Sequence, residues 1–236
     1  MKFERPLIPA TLIKRYKRFL ADVELENGEV ITVHCPNSGA MTTCAEPGRP
    51  VLISDSQNPK RKLRYTFEMI RMGPTWVGVN TMNPNRAVEG FIRADKIPEL
   101  MGYDTLRREV KYGEGGRSRI DILLTDCPAG RPDCYLEIKN STLRNGHHAA
   151  FPDGVTERGR KHLNDLAGVV KDGGRGVIFF FIGRADCHRF RPADEIDPAY
   201  GETLRRVLRE GVEVLAWRMR CNPQGIQLVD RLPVDI

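Results

Sequence analysis

The sequence has no long apolar segment, no paired cysteines and no repeats. No apolar run approaches the roughly 18 residues of a membrane-spanning helix, so we expect no membrane partner. The first six residues lack the apolar stretch of a signal peptide, which predicts a cytoplasmic protein. The six cysteines form no Cys-x-x-Cys pair, and we therefore expect free thiols in a reducing compartment rather than disulfides or a zinc site.

What is present is an ordinary globular composition. The chain has 236 residues, of which 40% are hydrophobic and 29% charged, and this excludes a disordered or fibrous protein. The length fits one large domain or two small ones. A chain of this size buries enough surface to fold without cross-links or a structural metal.

The basic residues are distributed unevenly. The net charge is +6, with 12 Lys and Arg against 8 Asp and Glu in residues 1–85 and 25 against 23 in residues 86–236. Arginine accounts for 27 of the 37 basic residues, and its guanidinium binds phosphate through two parallel hydrogen bonds. The excess indicates an anionic partner such as nucleic acid, although a codon bias toward arginine would produce the same count.

The first third of the chain predicts a small barrel. Asn27-Gly28 lies between alternating residues, which is the strongest short-range signal of a hairpin. Further strands are predicted at 50–54, 65–71 and 76–80. Five short strands without a long helix favour a barrel of the OB type, and we assign residues 1–84 to this nucleic-acid-binding domain.

Residues 85–236 have a different pattern, which predicts a mixed α/β domain. Helical segments are expected at 85–95, 156–171 and 198–210, the second with Thr156 as its N-cap. The apolar run 177–182 is typical of a strand covered on both faces. The remaining strands are predicted at 108–112, 119–124, 134–139 and, as the last strand, 212–219.

Three polar residues on two of these strands are candidates for catalysis. Asp121 interrupts an apolar strand, and Glu137 and Lys139 share one face of the next strand because side chains alternate. If the strands are neighbours, the two carboxylates form a hard-oxygen site for Mg²⁺ or Mn²⁺, and Lys139 orients or deprotonates a water. Glu-x-Lys is weak evidence alone, since Glu109-Val110-Lys111 is a second copy, and a solvated Glu–Lys pair is the alternative.

Two basic clusters in the barrel are candidates for phosphate contact, with aromatic residues that can stack on unpaired bases. The alternative is a solvated strand face with Tyr16 and Phe19 in the core. Nothing resembles a base-reading helix, so we expect weak sequence preference. The clusters are Lys14, Arg15, Tyr16, Lys17, Arg18 and Phe19, and Lys60, Arg61, Lys62, Arg64 and Tyr65.

Three further residues have two interpretations each. Arg158 and Lys161 lie in the first turns of the predicted 156–171 helix, where the helix N-terminus suits a phosphate, but a capped and solvated helix start has the same residues. Glu109 is either a further acidic member of the site or an ion-pair partner of Arg108 or Lys111.

The sequence resembles the bacterial and archaeal sugar fermentation stimulation protein family along nearly its whole length. That family has an OB barrel followed by a PD-(D/E)XK nuclease-like domain, which implies that Asp121, Glu137 and Lys139 occupy the metal and water positions. Ile120 replaces the usual proline before the aspartate. The matching stretches are residues 11–23, 34–41, 109–113, 118–121, 137–143, 151–159 and 161–163.

The resemblance implies a DNA-binding protein without sequence preference, with a divalent-metal site of the nuclease type. The alternative is an active Mg²⁺- or Mn²⁺-dependent nuclease that hydrolyses DNA or RNA. A more remote alternative is a sugar-responsive regulator of maltose metabolism, since the family is linked to the use of maltose-type sugars. Single-stranded or structured DNA is included among the partners, RNA is not excluded, and the sequence leaves a homodimer open.

Overall fold

The computed structural model describes residues 1–113, 116 and 118–236. The helices are α1 (Asn83–Arg93), α2 (Glu157–Lys171) and α3 (Pro198–Arg209), with a 3₁₀ turn at Pro98–Leu100. The strands are β1 (Ile8–Tyr16), β2 (Leu20–Leu25), β3 (Val30–His34), β4 (Pro50–Asp55), β5 (Tyr65–Met72), β6 (Thr75–Gly78), β7 (Thr105–Tyr112), β8 (Ser118–Thr125), β9 (Cys134–Ser141), β10 (Leu143–Asn145), β11 (His148–Phe151), β12 (Arg175–Ile182), β13 (Arg189–Pro192), β14 (Glu213–Asn222) and β15 (Gly225–Arg231).

Strands β1 to β5 close into the barrel that the sequence predicts. The order is β1-β2-β3-β5-β4 and back to β1, and the parallel pair His34–Thr66 joins β3 to β5. The hairpin at Asn27-Gly28 is confirmed as the β2–β3 connection. The set of five predicted strands was wrong in two places. It omitted β1, which has a mixed apolar and basic pattern, and it included β6, which leaves the barrel.

Strand β6 connects the barrel to a second, larger sheet. It pairs with β5 on one side and, through Trp76 and Cys221, with β14 on the other. The sheet continues in the order β14-β12-β9-β8-β7. The strands β9, β12 and β14 are parallel, whereas β7, β8 and β9 are antiparallel, so the sheet is mixed as expected.

The central strand β12 explains how the helices cover this sheet. Its run from Val177 to Ile182 is buried on both faces, which confirms the prediction from its apolar sequence. Ile178 and Phe180 pack with apolar residues of α2 and α3, such as Leu163 and Leu204. Val177 and Phe179 face the other way and pack with α1.

The predicted helices form nearly where expected, and two of them, α2 and α3, begin at side-chain caps that the sequence encodes locally. The Thr156 hydroxyl accepts a hydrogen bond from the Gly159 amide at 3.0 Å, and Asp197 caps α3 in the same manner. The strand predicted at 212–219 is confirmed as β14, but the prediction that it is the last strand was wrong, because β15 follows β14 and pairs with it. A small sheet of β10, β11 and β13 was also missed.

The barrel is fixed to the rest of the chain by buried polar contacts as well as by β6. Arg184 is almost completely buried and donates to the Thr142 carbonyl at 2.8 Å and to the Thr43 hydroxyl at 3.3 Å. The two parts therefore share one continuous sheet and a polar seam.

The domain boundary between residues 84 and 85 stays a prediction. All six cysteines are free, as expected. In the part of the chain that the structure describes, no helix is long and apolar enough to cross a membrane.

Candidate functional site

Asp121 and Glu137 lie on neighbouring strands, as the sequence analysis required. Strands β8 and β9 are antiparallel, with Ile122 opposite Leu136. The Asp121 carboxylate reaches toward β9, where Oδ2 accepts a hydrogen bond from the Ile138 amide at 2.7 Å. Its Oδ1 accepts one from the Asn85 side chain at 2.8 Å, so β9 and α1 both hold it in place.

Glu137 is buried, with only 3% of its surface exposed, so a solvated Glu–Lys pair does not describe it. Its Oε1 accepts hydrogen bonds from Lys139 Nζ at 2.6 Å and from His162 Nδ1. Lys139 Nζ lies 3.2 Å from the same histidine nitrogen. The other oxygen, Oε2, is buried with no hydrogen-bond partner among the described residues.

The two carboxylates differ in their electrostatics. Burial, together with the nearby charge of Glu137, raises the pKa of Asp121 to about 6. Burial acts on Glu137 in the same direction, but the hydrogen bond from His162 and the charge of Lys139 outweigh it and hold the pKa of Glu137 below its ordinary value. The pair thus combines a readily ionised carboxylate with one that binds a proton more tightly.

Two members of this cluster, Asn85 and His162, were missed by sequence reasoning. Asn85 lies in the first turn of α1, and only the packing of α1 against β8 brings it to Asp121. His162 lies on the buried side of α2 with Leu163 and Leu166. A histidine on the apolar face of a helix is a usable signal, but a satisfied core residue has the same pattern.

The donor chemistry fits a hard divalent cation. A buried carboxylate oxygen without a partner is costly, and a cation would satisfy it. Mg²⁺ is commonly held by one or two carboxylates, with water and phosphate oxygens completing its coordination. The described residues contain no cluster of three or more His, Cys, Asp or Glu side chains that could hold a metal, so protein ligands alone would not complete the coordination of a cation here.

Asp121 and Lys139 line a cleft of about 740 Å³ between the barrel and the mixed sheet. Strands β8 and β9 provide its floor, and a barrel loop and the segment before α2 provide its walls. The lining residues are Arg15, Arg18, Asn37, Ser38, Gly39, Ala40, Thr81, Pro84, Asn85, Asp121, Ile138, Lys139, Asn140, Phe151, Pro152, Asp153, Gly154, Val155 and Thr156.

A second cavity of about 840 Å³ adjoins the first. Three residues of the segment 80–85 line one cavity and the other three line the second, so this segment lies between them. The second cavity is rimmed by basic side chains and has the buried carboxylate of Glu68 in its wall. The basic members of its lining are Arg5, His34, Arg61, Arg86 and Arg108.

The first basic cluster lies on β1 and the β1–β2 turn. Lys14 pairs with Asp22 at 3.5 Å, and the Tyr16 hydroxyl donates to the same carboxylate at 2.9 Å. Lys17 and Arg18 form the exposed turn, with φ values of 46° and 64°. Phe19 is 45% exposed, so the alternative that placed it in the barrel core was wrong.

Arg15 has a different environment from its neighbours. Its guanidinium donates to four main-chain carbonyls at 2.7–3.2 Å, and three of them belong to the loop that walls the cleft. These contacts give Arg15 a structural role in that loop, while contact with nucleic acid by Arg15 stays a prediction. The acceptors are the carbonyls of Arg18, Asn37, Gly39 and Ala40.

The second basic cluster lies in the β4–β5 loop. Lys60 and Lys62 are exposed there, and Arg61 donates to the Thr66 hydroxyl at 3.3 Å. The Arg64 guanidinium donates two hydrogen bonds, of 2.8 and 2.5 Å, to the Asp55 carboxylate. Lys60, Arg61 and Lys62 are therefore more available for a phosphate than Arg64.

The remaining candidates lie at the edges of the site. The β7–β8 register places Glu109 opposite Asp121, in left-handed backbone with a φ of 53°. Arg158 is exposed, and its Nε lies 3.3 Å from His162 Nε2. Lys161 contacts Ser118 and pairs with Asp165 at 2.7 Å, and it is not among the residues that line the cleft. Whether any of the three acts on a substrate stays a prediction.

Comparison with known protein families gives two adjacent matches. Residues 13–79 match the model described as SfsA N-terminal OB domain. Residues 82–225 match the model described as sugar fermentation stimulation protein RE domain, where RE denotes a restriction-endonuclease-like fold.

Whole-chain comparisons agree with these matches. The sugar fermentation stimulation protein homolog of Geotalea uraniireducens is 52% identical over 234 residues, which is 99% of each chain. That of Pelobacter propionicus is 55% identical over 229 residues, or 97% of each chain. The solved structure of Pyrococcus furiosus SfsA in complex with Ca²⁺ is similar, with a TM-score of 0.90 at 27% identity, covering 100% of this chain and 98% of that one.

Proposed function

The chain belongs to the sugar fermentation stimulation protein family, and from this premise we propose that it binds DNA without sequence preference and holds Mg²⁺ or Mn²⁺ at Asp121 and Glu137. The observation that carries the metal proposal is the buried, unpartnered Oε2 of Glu137 beside a second carboxylate. The Ca²⁺ bound to the Pyrococcus furiosus relative supports a divalent cation in this family. The choice of Mg²⁺ or Mn²⁺ rests on the oxygen donors.

The barrel topology supports the DNA proposal. OB barrels bind oligonucleotides on the face of their second and third strands and through the loops that join strands 1–2 and 4–5. In this chain those loops are the basic turn with Lys17 and Arg18 and the basic loop with Lys60 to Lys62. Arg18 lines the cleft over Asp121, and Arg61 lines the adjoining cavity. A strand bound by both loops would therefore pass close to Asp121.

Hydrolysis of phosphodiesters is the second candidate function, and the position of Lys139 favours it. Glu137 and His162 hold its ammonium at the floor of the cleft, where it can orient an attacking water by donating a hydrogen bond. A bound divalent cation would polarise the phosphate and favour ionisation of a water. A passive DNA binder has no evident use for a carboxylate pair with a partly buried lysine beside it.

Binding is tested by measuring DNA affinity across a salt series. The logarithm of the association constant should fall linearly with the logarithm of salt concentration, and a flat response would contradict the proposal. We expect Lys17→Gln with Lys60→Gln to reduce the slope by about 2, because each lysine neutralises about one phosphate. The double variant Lys171→Gln with Arg209→Gln, at exposed positions outside both cavities, should leave it unchanged.

Metal binding and hydrolysis are tested separately. Calorimetric titration with Mn²⁺ should show one site that is lost in Asp121→Asn. Cleavage of plasmid, single-stranded and branched DNA with Mg²⁺ or Mn²⁺ should stop in EDTA and in Asp121→Asn. Cleavage that survives the substitution would come from a contaminant, whereas metal binding without cleavage would leave only the first function.

A further inference from the structure

We propose that the cleft lined by Asp121 and Lys139 accepts a single strand of nucleic acid and excludes double-stranded DNA. The inference rests on the proposed hydrolysis at this site and specifies its substrate class. It follows from the recessed position of Lys139, from the fixed walls of the cleft and from an exposed apolar side chain in its lining.

The catalytic candidates are deeply recessed. The side chain of Lys139, which lines the cleft, is only 14% exposed, and that of Glu137, which does not line it, is 4% exposed. The phosphates of duplex DNA lie on the outside of a wide and stiff double helix, with a persistence length of about 150 base pairs. The phosphates of such a duplex can contact protein groups at an open surface but not groups at the floor of a cleft. A single strand is narrow and flexible enough to bring its phosphodiester to the floor of a cleft.

The walls of the cleft are held together on one side. The barrel loop 37–41 meets the segment 151–156, where the Met41 amide donates to Asp153 Oδ2 at 3.3 Å. Gly39 lies so close to Asp153 that a β-carbon there would collide with the carboxylate. Arg15 secures the same loop through the carbonyls described above. The cleft has a volume of about 740 Å³, which is in the range of pockets for a small ligand and corresponds to a short stretch of one strand.

An exposed apolar side chain lines the cleft. It belongs to Val155, which is 73% exposed, whereas Phe19, which is 45% exposed, follows the lining residue Arg18 in sequence and does not itself line the cleft. In a duplex the faces of the bases are stacked inside the helix, where such side chains cannot reach them. Unpaired bases expose those faces. A base that stacks on an exposed apolar side chain removes the surface of that side chain from water.

The first test compares cleavage of three substrates of one sequence: a single strand, its duplex, and a duplex with a single-stranded tail. We expect the single strand to be cut at least tenfold faster than the duplex, and cuts in the tailed substrate to fall in the tail. Equal rates on single strand and duplex would overturn the inference but leave the proposed hydrolysis intact. If no substrate is cut, the hydrolysis proposal fails, and the second test decides whether the cleft takes a single strand.

The second test needs no catalysis. In Val155→Cys, the rate of thiol labelling by a maleimide is measured in EDTA with saturating single strand or duplex. We expect at least fivefold protection by the single strand and less than twofold by the duplex. Val229→Cys on β15 is the control that neither should protect, and the unsubstituted chain corrects for the partly exposed Cys127. Equal protection by both DNAs, or none by the single strand, would overturn the inference.

Discussion

Two buried glutamates on either side of the barrel junction show how a structural carboxylate differs from a functional one. Glu68 on β5 is 5% exposed, and both of its oxygens accept hydrogen bonds from neutral side chains at 2.6–2.9 Å. Glu137 on β9 is equally buried, but its two donors, Lys139 and His162, share one oxygen, and the other oxygen has no partner among the described residues. The donors to Glu68 are Ser54, Asn80 and Asn83.

Burial alone therefore does not mark a site. Glu68 is satisfied within the fold and fixes the segment that carries Asn80 and Asn83 into α1. Glu137 keeps one oxygen available, and a buried acceptor without a partner persists where a ligand completes it. The unused hydrogen-bonding capacity of Glu137 is what distinguishes the two positions.

The largest difference between Glu137 and Glu68 is expected from the same substitution at both positions. Glu137→Gln should lower metal-dependent cleavage by about 10³-fold or more, since it removes a charge from the metal site. Glu68→Gln should change the rate by less than about twofold, because the fold already satisfies that side chain. Initial rates with Mn²⁺ decide the matter, and a large loss in Glu68→Gln would show that both glutamates serve catalysis.

Removing the Glu68 carboxylate altogether should reveal its structural role. Glu68→Leu leaves three donors without an acceptor, and we expect it to destabilise the protein by about 3–5 kcal/mol. Ser54→Ala removes one donor and should cost about 1 kcal/mol. Urea unfolding followed by circular dichroism measures both. A neutral effect of Glu68→Leu would mean that the neighbouring amides find other partners.

Ionisation of Asp121 should lower the free energy of unfolding by an amount that depends on pH. Because its folded pKa of about 6 lies above the ordinary 3.8, the folded state binds the proton more tightly, and stability falls as pH rises through this window. Asp121→Asn removes the penalty. In EDTA the variant should match the parent below pH 4 and exceed it by at most about 3 kcal/mol above pH 6. Thermal unfolding at several pH values tests this, and a constant difference would refute it.

The smallest expected effects separate two neighbouring asparagines of α1. Asn83 donates to Glu68 and Asn85 donates to Asp121, each at 2.8 Å. Asn85→Ala should lower the cleavage rate by about tenfold and raise the pKa of Asp121, since a donor to its charged form is lost. Asn83→Ala should instead cost about 1–2 kcal/mol of stability and leave the rate nearly unchanged. Carboxyl titration by NMR adds a readout of Asp121 that packing alone would not alter.

Much of this site was predictable because its parts are local in sequence. Asp121 interrupts an apolar strand, and Glu137 and Lys139 share a face through strand alternation. The same reasoning could not find Asn85, which is 36 residues from the carboxylate that it contacts, or His162, which is 25 residues from Glu137. Sequence reasoning also could not distinguish Arg15, which donates hydrogen bonds to main-chain carbonyls, from the exposed Lys17 and Arg18, because all three belong to one basic cluster in the sequence.

Sequence reasoning alone found many of the strands, two helix caps and the pair of carboxylates, because alternation, apolar runs and capping residues act over a few positions. Only the tertiary structure decided which basic residues approach that pair. Barrel closure and the β6–β14 pairing bring the barrel loop 37–41 against Asp153, more than 100 residues away. Contacts at that separation depend on how whole sheets pack. For that reason the cleft, and with it the kind of strand it admits, belongs to the fold rather than to any motif.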